Sequence, residues 1–388
     1  MSLMERIWPA FQDIDTSSGA LGGAVYWAQA ALLPIAISAP ADRKTRDKWL
    51  DRLWHAIEDD GVDYVSMVGS RWGELCGSRE VASHWADRFL SLLRVAWSDP
   101  RPGNYVHGTN VCLSSLLAAG RHEELLEVLA LQRYPFWPDR IFGMQALLAQ
   151  GRMEEALAYA EAFRGLNQPD AAIDTACERI LLDLGRVDEA YERYGLTANC
   201  SSIGLETFRA IARKYPDREP KRILLDLATS SGEPGRWFAA AKDAGFLDLA
   251  LEFAETGRTD PRTLSRASRD LLRNDARFSL EVGWLALQRM LEGYGYELTD
   301  IDVIDAYKHF IAAAQTLGTA SEACADLVAM AMTHRGPASD ILLHRCSVDP
   351  QAYAPEIKTT VTKQQTWTRR HFTRCCTAGP SPGRPAPG

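Results

Sequence analysis

Regular alternation of apolar and polar residues is missing from the 388 positions of this chain. A half-buried strand needs that period of two, so sheet architectures are excluded and the fold is expected to be all-α. Catalytic signatures are missing as well. There is no Gly-x-x-x-x-Gly-Lys phosphate loop, no Gly-x-Ser-x-Gly elbow and no His-Glu-x-x-His. His122-Glu123-Glu124 begins the last of these, but Leu126 stands where the second zinc ligand belongs. Eight cysteines, at 76, 112, 177, 200, 324, 346, 375 and 376, include no Cys-x-x-Cys pair. Most lie in apolar helical contexts, where cysteine acts as a small hydrophobe, which fits a reducing compartment better than a disulfide framework. His344, Cys346, His371, Cys375 and Cys376 lack regular spacing, so neither metal nor cofactor is expected. No secretory leader is expected, since Arg6 is followed by Trp8-Pro9, Asp13 and Asp15 instead of an apolar core. A cytoplasmic location is the expectation.

Charge is plentiful but unevenly spread. The chain carries 43 basic and 51 acidic residues, a net −8. Six of the basic residues and none of the acidic ones follow Glu356, so positions 1–356 hold 37 against 51, a net −14. An acidic body repels phosphate backbones, and nucleic acid is not an expected partner. One stretch, Ala20 to Ile37, is uncharged and close to the minimum length of a membrane span. Gly22-Gly23, Gln29 and Pro34 interrupt it and acidic residues flank it, so a buried first helix ending or kinking near Pro34 is expected, with no membrane.

What the sequence does have is repetition. Gly120-Arg121-His122-Glu123-Glu124-Leu125, Gly151-Arg152-Met153-Glu154-Glu155-Ala156 and Gly185-Arg186-Val187-Asp188-Glu189-Ala190 each follow an apolar helical run. Gly245-Phe246-Leu247-Asp248-Leu249-Ala250 is a weaker fourth copy. Repeats 31 to 34 residues apart mean stacked helical hairpins. Each glycine suits the left-handed end of one helix, and the acids after it suit the positive start of the next. Leu125, Ala156, Ala190 and Ala250, five residues on, face the partner helix, and Leu129, Ala160, Tyr194 and Ala254 lie one turn further along the same face. Pro138 and Pro169 both fall 18 residues after a glycine, where one hairpin ends and the next begins.

Leu147, Gly151, Ala156 and Pro169 carry a spacing that resembles the tetratricopeptide-like helical repeat superfamily. The resemblance covers about Val111 to Gly257 and departs from the family at Met144 and Glu178, where a small residue is usual. Positions 42 to 318 also resemble a family of bacterial proteins of unknown function. The phrases concerned are Trp72-Gly-Glu-Leu-Cys76, His107-Gly-Thr109, Asp188-Glu-Ala-Tyr191, Arg209-Ala-Ile-Ala-Arg-Lys-Tyr215, Trp237-Phe-Ala-Ala-Ala-Lys242 and Gly293-Tyr-Gly-Tyr296. The resemblance implies a right-handed superhelical solenoid of antiparallel hairpins and no catalytic role.

In chain order, helices are expected over 42–59, 65–75 and 81–97, then through the repeats, then over 205–215, 221–229, 236–242, 247–256, 261–274, 278–291 and 303–316. The solenoid is expected to span 1–330, clearest over 110–257. A divergent segment follows, largely disordered from about 358 because its Pro- and Gly-rich composition buries too little apolar area.

Three loop phrases hold the residue types that dominate binding hot spots: Arg71-Trp72-Gly-Glu74, Asn104-Tyr105-Val-His107 and Phe136-Trp137-Pro-Asp139-Arg140. Arg71, Trp72, His107, Trp137 and Arg140 are therefore candidate contacts for a partner protein or peptide, and a non-catalytic interaction scaffold is the favoured function. The alternative is an enzyme, or a module regulating one, with a site between hairpins near Arg71, Glu74 and His107. Convergence of those three in one pocket favours chemistry; spread along a groove favours binding.

Overall fold

Gly120, Gly151 and Gly185 adopt φ of +75°, +73° and +73° in a computed structural model of the chain. The residue after each glycine donates its N–H back five residues, Arg121 to Leu116 at 3.0 Å, Arg152 to Leu147 at 2.9 Å and Arg186 to Leu181 at 2.8 Å. This turn satisfies carbonyls that the ending helix leaves open. Gly245 and Gly293 repeat it, with Phe246 bonded to Ala241 and Tyr294 to Arg289, both at 2.9 Å. The weak fourth copy is thus a real one, and Gly293-Tyr-Gly-Tyr296 begins as a helix-ending turn.

The structure describes residues 19–60, 66–99, 106–165 and 169–348, and all regular elements among them are helical. Asn104, Tyr105 and the segment beyond 348 lie outside the described residues. The chain divides into two compact units at Gly257. The first contains α1 (Ala20–Ser38), α2 (Arg43–Glu58), α3 (Ser66–Ser70), α4 (Trp72–Cys76), α5 (Arg79–Ser98), α6 (Thr109–Ala119), α7 (His122–Ala130), α8 (Trp137–Ala149), α9 (Met153–Glu161), α10 (Asp170–Asp183), α11 (Val187–Ala190), α12 (Gly204–Lys214), α13 (Pro220–Ser231), α14 (Phe238–Asp243) and α15 (Leu247–Thr256). The second contains α16 (Pro261–Leu271), α17 (Ala276–Leu291), α18 (Asp300–Thr316), α19 (Ala320–Met332) and α20 (Pro337–Val348). From α6 to α10 each helix packs on the next, and α6 also meets α8. The facing positions Leu125, Ala156, Ala190 and Ala250 are all fully buried.

An ionic clasp accompanies the repeated turn. Arg121, Arg152 and Arg186 stand just before the second helix of each hairpin and grip the carboxylate three residues on. The Nε–oxygen distances are 2.8 Å to Glu124, 2.8 Å to Glu155 and 2.7 Å to Glu189. The same arginines reach backward, Arg121 to Asp87 at 2.6 Å and Arg186 to Glu154 at 2.9 Å, and Arg218 reaches Asp188 at 2.7 Å. Solvated pairs of this kind contribute about 0–1 kcal/mol each, so the ladder sets orientation more than stability.

The aromatic core of the first unit is tight. Trp54, Trp72, Trp85 and Phe89 form a cluster, with ring centroids 4.8 Å apart for Trp72 and Trp85 and 4.7 Å for Trp54 and Phe89. Two expectations change here. Residues 65–75 are not one helix but α3 and α4, broken at Arg71. The first apolar helix runs through Pro34 to Ser38 and is mostly exposed, burying only Val25, Gln29 and Leu33.

In the second unit, Asp302 closes a capping box at the start of α18, accepting from the Thr299 N–H at 2.8 Å and hydroxyl at 2.7 Å. Arg262 donates to both its oxygens at 2.8 Å. These hydrogen bonds, led by those from the guanidinium, hold the carboxyl well below the usual range. A depressed folded-state value gives stability that is present above the unfolded value near 3.8 and lost as pH falls through the folded one. Asp302→Asn is expected to cost about 1 kcal/mol at neutral pH. The gap to the parent protein should narrow steadily below pH 3.8. Urea midpoints across that range check it, and a gap independent of pH would assign the loss to packing.

Candidate functional site

The candidate phrase at 71–74 begins with the same clasp as the repeats. Arg71 donates to Glu74 through Nε at 2.8 Å and Nη2 at 2.6 Å, across the first turn of α4. Those hydrogen bonds hold the Glu74 carboxyl below its ordinary value. A carboxylate so stabilised is a poor general base, which needs the opposite shift. The next two residues face inward. Trp72 is fully buried in the aromatic cluster. Gly73 lies against α6, where its N–H donates to the Ser114 hydroxyl at 3.0 Å.

The phrase at 136–140 is also held from within. Trp137 is 3% exposed and Arg140 is 7% exposed. Arg140 donates to the Gln132 side chain at 3.1 Å and its carbonyl at 3.3 Å, and stacks 4.8 Å over the Phe163 ring. Gln132 in turn donates to Asp139 at 2.7 Å, and burial pushes that carboxyl up. Trp72 and Trp137 are thus not loop residues but the first residues of α4 and α8, Arg140 lies in the first turn of α8, and all three are turned inward. The aromatic side chains that are exposed at and beside the phrase at 136–140 are Tyr134 and Phe136. His107 is exposed, with its ring 5.3 Å from Trp54.

Two of the three phrases do meet. A cleft of about 450 Å³ has Arg71 and Glu74 on one side, Leu117 and Ala118 of α6 beneath, and Pro138, Ile141 and Gln145 of α8 opposite. His107 is not among its lining residues. Arg71, Glu74 and His107 therefore do not converge, and the cleft combines one ion pair with an apolar floor.

Two other constellations were not foreseen. Tyr191, Arg218, Arg222 and Asp226 border a second cleft of about 340 Å³. Its polar groups satisfy one another: Tyr191 donates to Asp226 at 2.8 Å, Arg222 pairs with Asp226 at 2.9 Å, and Arg218 lies 4.5 Å over the Tyr191 ring. Burial raises the Tyr191 hydroxyl well above its normal titration range. In the second unit, the Ser265 hydroxyl and His309 Nδ1 are 3.1 Å apart. Burial lowers the His309 value below that of a free imidazole. Ser265 is 6% exposed, within helix α16. This pair is a helix–helix contact between α16 and α18.

Among the described residues, no group of three His, Cys, Asp or Glu side chains is placed to hold a metal ion. Burial pushes the thiols of Cys76 and Cys112 up to about 12 and that of Cys177 up to about 11. Thiols so disfavoured as thiolates are packing groups, not nucleophiles. The fold and site define an all-helical protein carrying a cleft of mixed character. Compared with family models, curated proteins and solved structures, the chain finds no match.

Proposed function

We propose that this protein is a non-catalytic interaction scaffold of the cytoplasm, a tetratricopeptide-like solenoid that receives a segment of another protein in the cleft between α4, α6 and α8. The observation that supports the reading is the joining of the Arg71–Glu74 ion pair to the apolar floor of Leu117, Ala118 and Ile141. A fixed ion pair orients polar backbone or a charged side chain, and the floor desolvates an apolar anchor. Arg71 remains the candidate orienting contact from the sequence. Net negative charge on the body favours a partner segment that is basic or of mixed charge with apolar anchors.

Filling the cleft tests this. Gln145, half-buried on α8, is the position to enlarge. Proteins captured by the parent but not by Gln145→Trp would be purified and titrated against both. The expected result is at least tenfold weaker binding with an unchanged circular dichroism melt, about 1.4 kcal/mol. Equal capture and equal affinity would remove the cleft as the binding surface.

A further inference from the structure

Helix α1 is built inside out. Its 19 residues carry no charged side chain. The polar Gln29 is turned against the body at 5% exposed, between Val25 and Leu33 on the same stripe. The outer face shows Tyr26 at 56%, Trp27 at 74%, Leu32 at 52% and Ile35 at 64% exposure. A helix apolar on every side belongs in a core or in lipid, and this one has no core over its outer face among the described residues. Its one outward hydroxyl near the end, Ser38, donates back to the Pro34 carbonyl at 2.9 Å.

The helix is held rather than loose. Arg46, buried on α2, donates to the carbonyls of Ala36 at 3.3 Å, Ala39 at 2.7 Å and Leu75 at 3.1 Å. That guanidinium ties the end of α1 to both α2 and α4. Just past it stand Lys44 and Lys48, both exposed.

We infer that α1 docks the protein on a lipid bilayer, its outer face entering the boundary between headgroups and acyl chains. Tyr and Trp favour that boundary, with an apolar body and a polar edge. Lys44 and Lys48 then lie at headgroup level. A second copy of the chain is the less fitting occupant. The face is about 28 Å long and roughly 10 Å wide, or about 300 Å², where a stable dimer needs about 800 Å² per partner.

Flotation of the full chain tests the assignment, using vesicles of phosphatidylcholine alone and of phosphatidylcholine mixed with phosphatidylglycerol. The parent should float with both, because insertion of apolar area drives the binding. The double variant Trp27→Glu/Ile35→Glu should bind at least tenfold less while keeping the parent's melt. If that variant fails to fold, Trp27→Ala in the same assay should still show a reduction of several-fold. A parent that stays unbound with both vesicles overturns the inference, as does a folded double variant that floats equally. A parent that is dimeric by light scattering and does not float, with a monomeric double variant, also overturns it, by making the face a contact between copies.

Discussion

Gly73→Ala should lower stability by about 3 kcal/mol or more, although it adds one methyl group. A β-carbon at Gly73 would lie 2.2 Å from the Ser114 carbonyl oxygen and 2.6 Å from the Ala118 methyl. The first of these is backbone, so it cannot rotate away; α4 and α6 must separate. Separation strips contacts from Trp72, which sits fully buried between them and the rest of the aromatic cluster. It also lengthens the Gly73 N–H bond to Ser114. The comparison residue is Gly23 in α1, where a β-carbon meets nothing within 4 Å. There the same substitution should be neutral or stabilise by up to about 1 kcal/mol through helix propensity. Chemical denaturation of both variants decides the matter. Similar midpoints would mean that α4 and α6 do not cross as closely as described.

The repeated turns were legible because their cause is local. A glycine near +73° and two acids beyond it express themselves within six residues, so Gly120, Gly151 and Gly185 could be read directly. The arginine after each glycine is equally visible in the sequence, but the acids by themselves point only to the helix dipole. Spacing of Arg and Glu by three residues was the signal for the clasp, and it also explains Arg71 and Glu74. Direction in space was harder to read. Trp137 and Phe136 are neighbours of similar chemistry, yet one is buried and the other exposed, because α8 begins between them and rotates its first residue inward. Likewise α1 looked like a core helix by composition. Whether anything covers an apolar face depends on the rest of the chain, which no local pattern records.

Glu178→Ala is the second large loss, expected at about 3 kcal/mol. This position interrupts the small-residue pattern of the repeats, and the structure supplies a reason. The Glu178 side chain is 1% exposed on α10. Tyr215 donates to one carboxylate oxygen at 2.6 Å and Asn199 to the same oxygen at 2.7 Å. Lys214 donates to the other at 2.7 Å and to the Asn199 carbonyl oxygen at 2.7 Å. One buried anion therefore joins α10 to the end of α12 and to the turn between them. Removing it leaves the buried Tyr215 hydroxyl without its acceptor and the Asn199 amide with the Gly195 carbonyl alone, and a cavity beside them. Lys214→Ala should cost a comparable amount for the converse reason, since it leaves a buried charge with neutral donors only. Glu178→Gln keeps the volume and one acceptor, and should lose roughly half as much. Urea denaturation at neutral pH ranks the three. If Glu178→Ala costs no more than an exposed substitution such as Glu154→Ala, water must reach this site and the carboxylate does not bind α10 to α12.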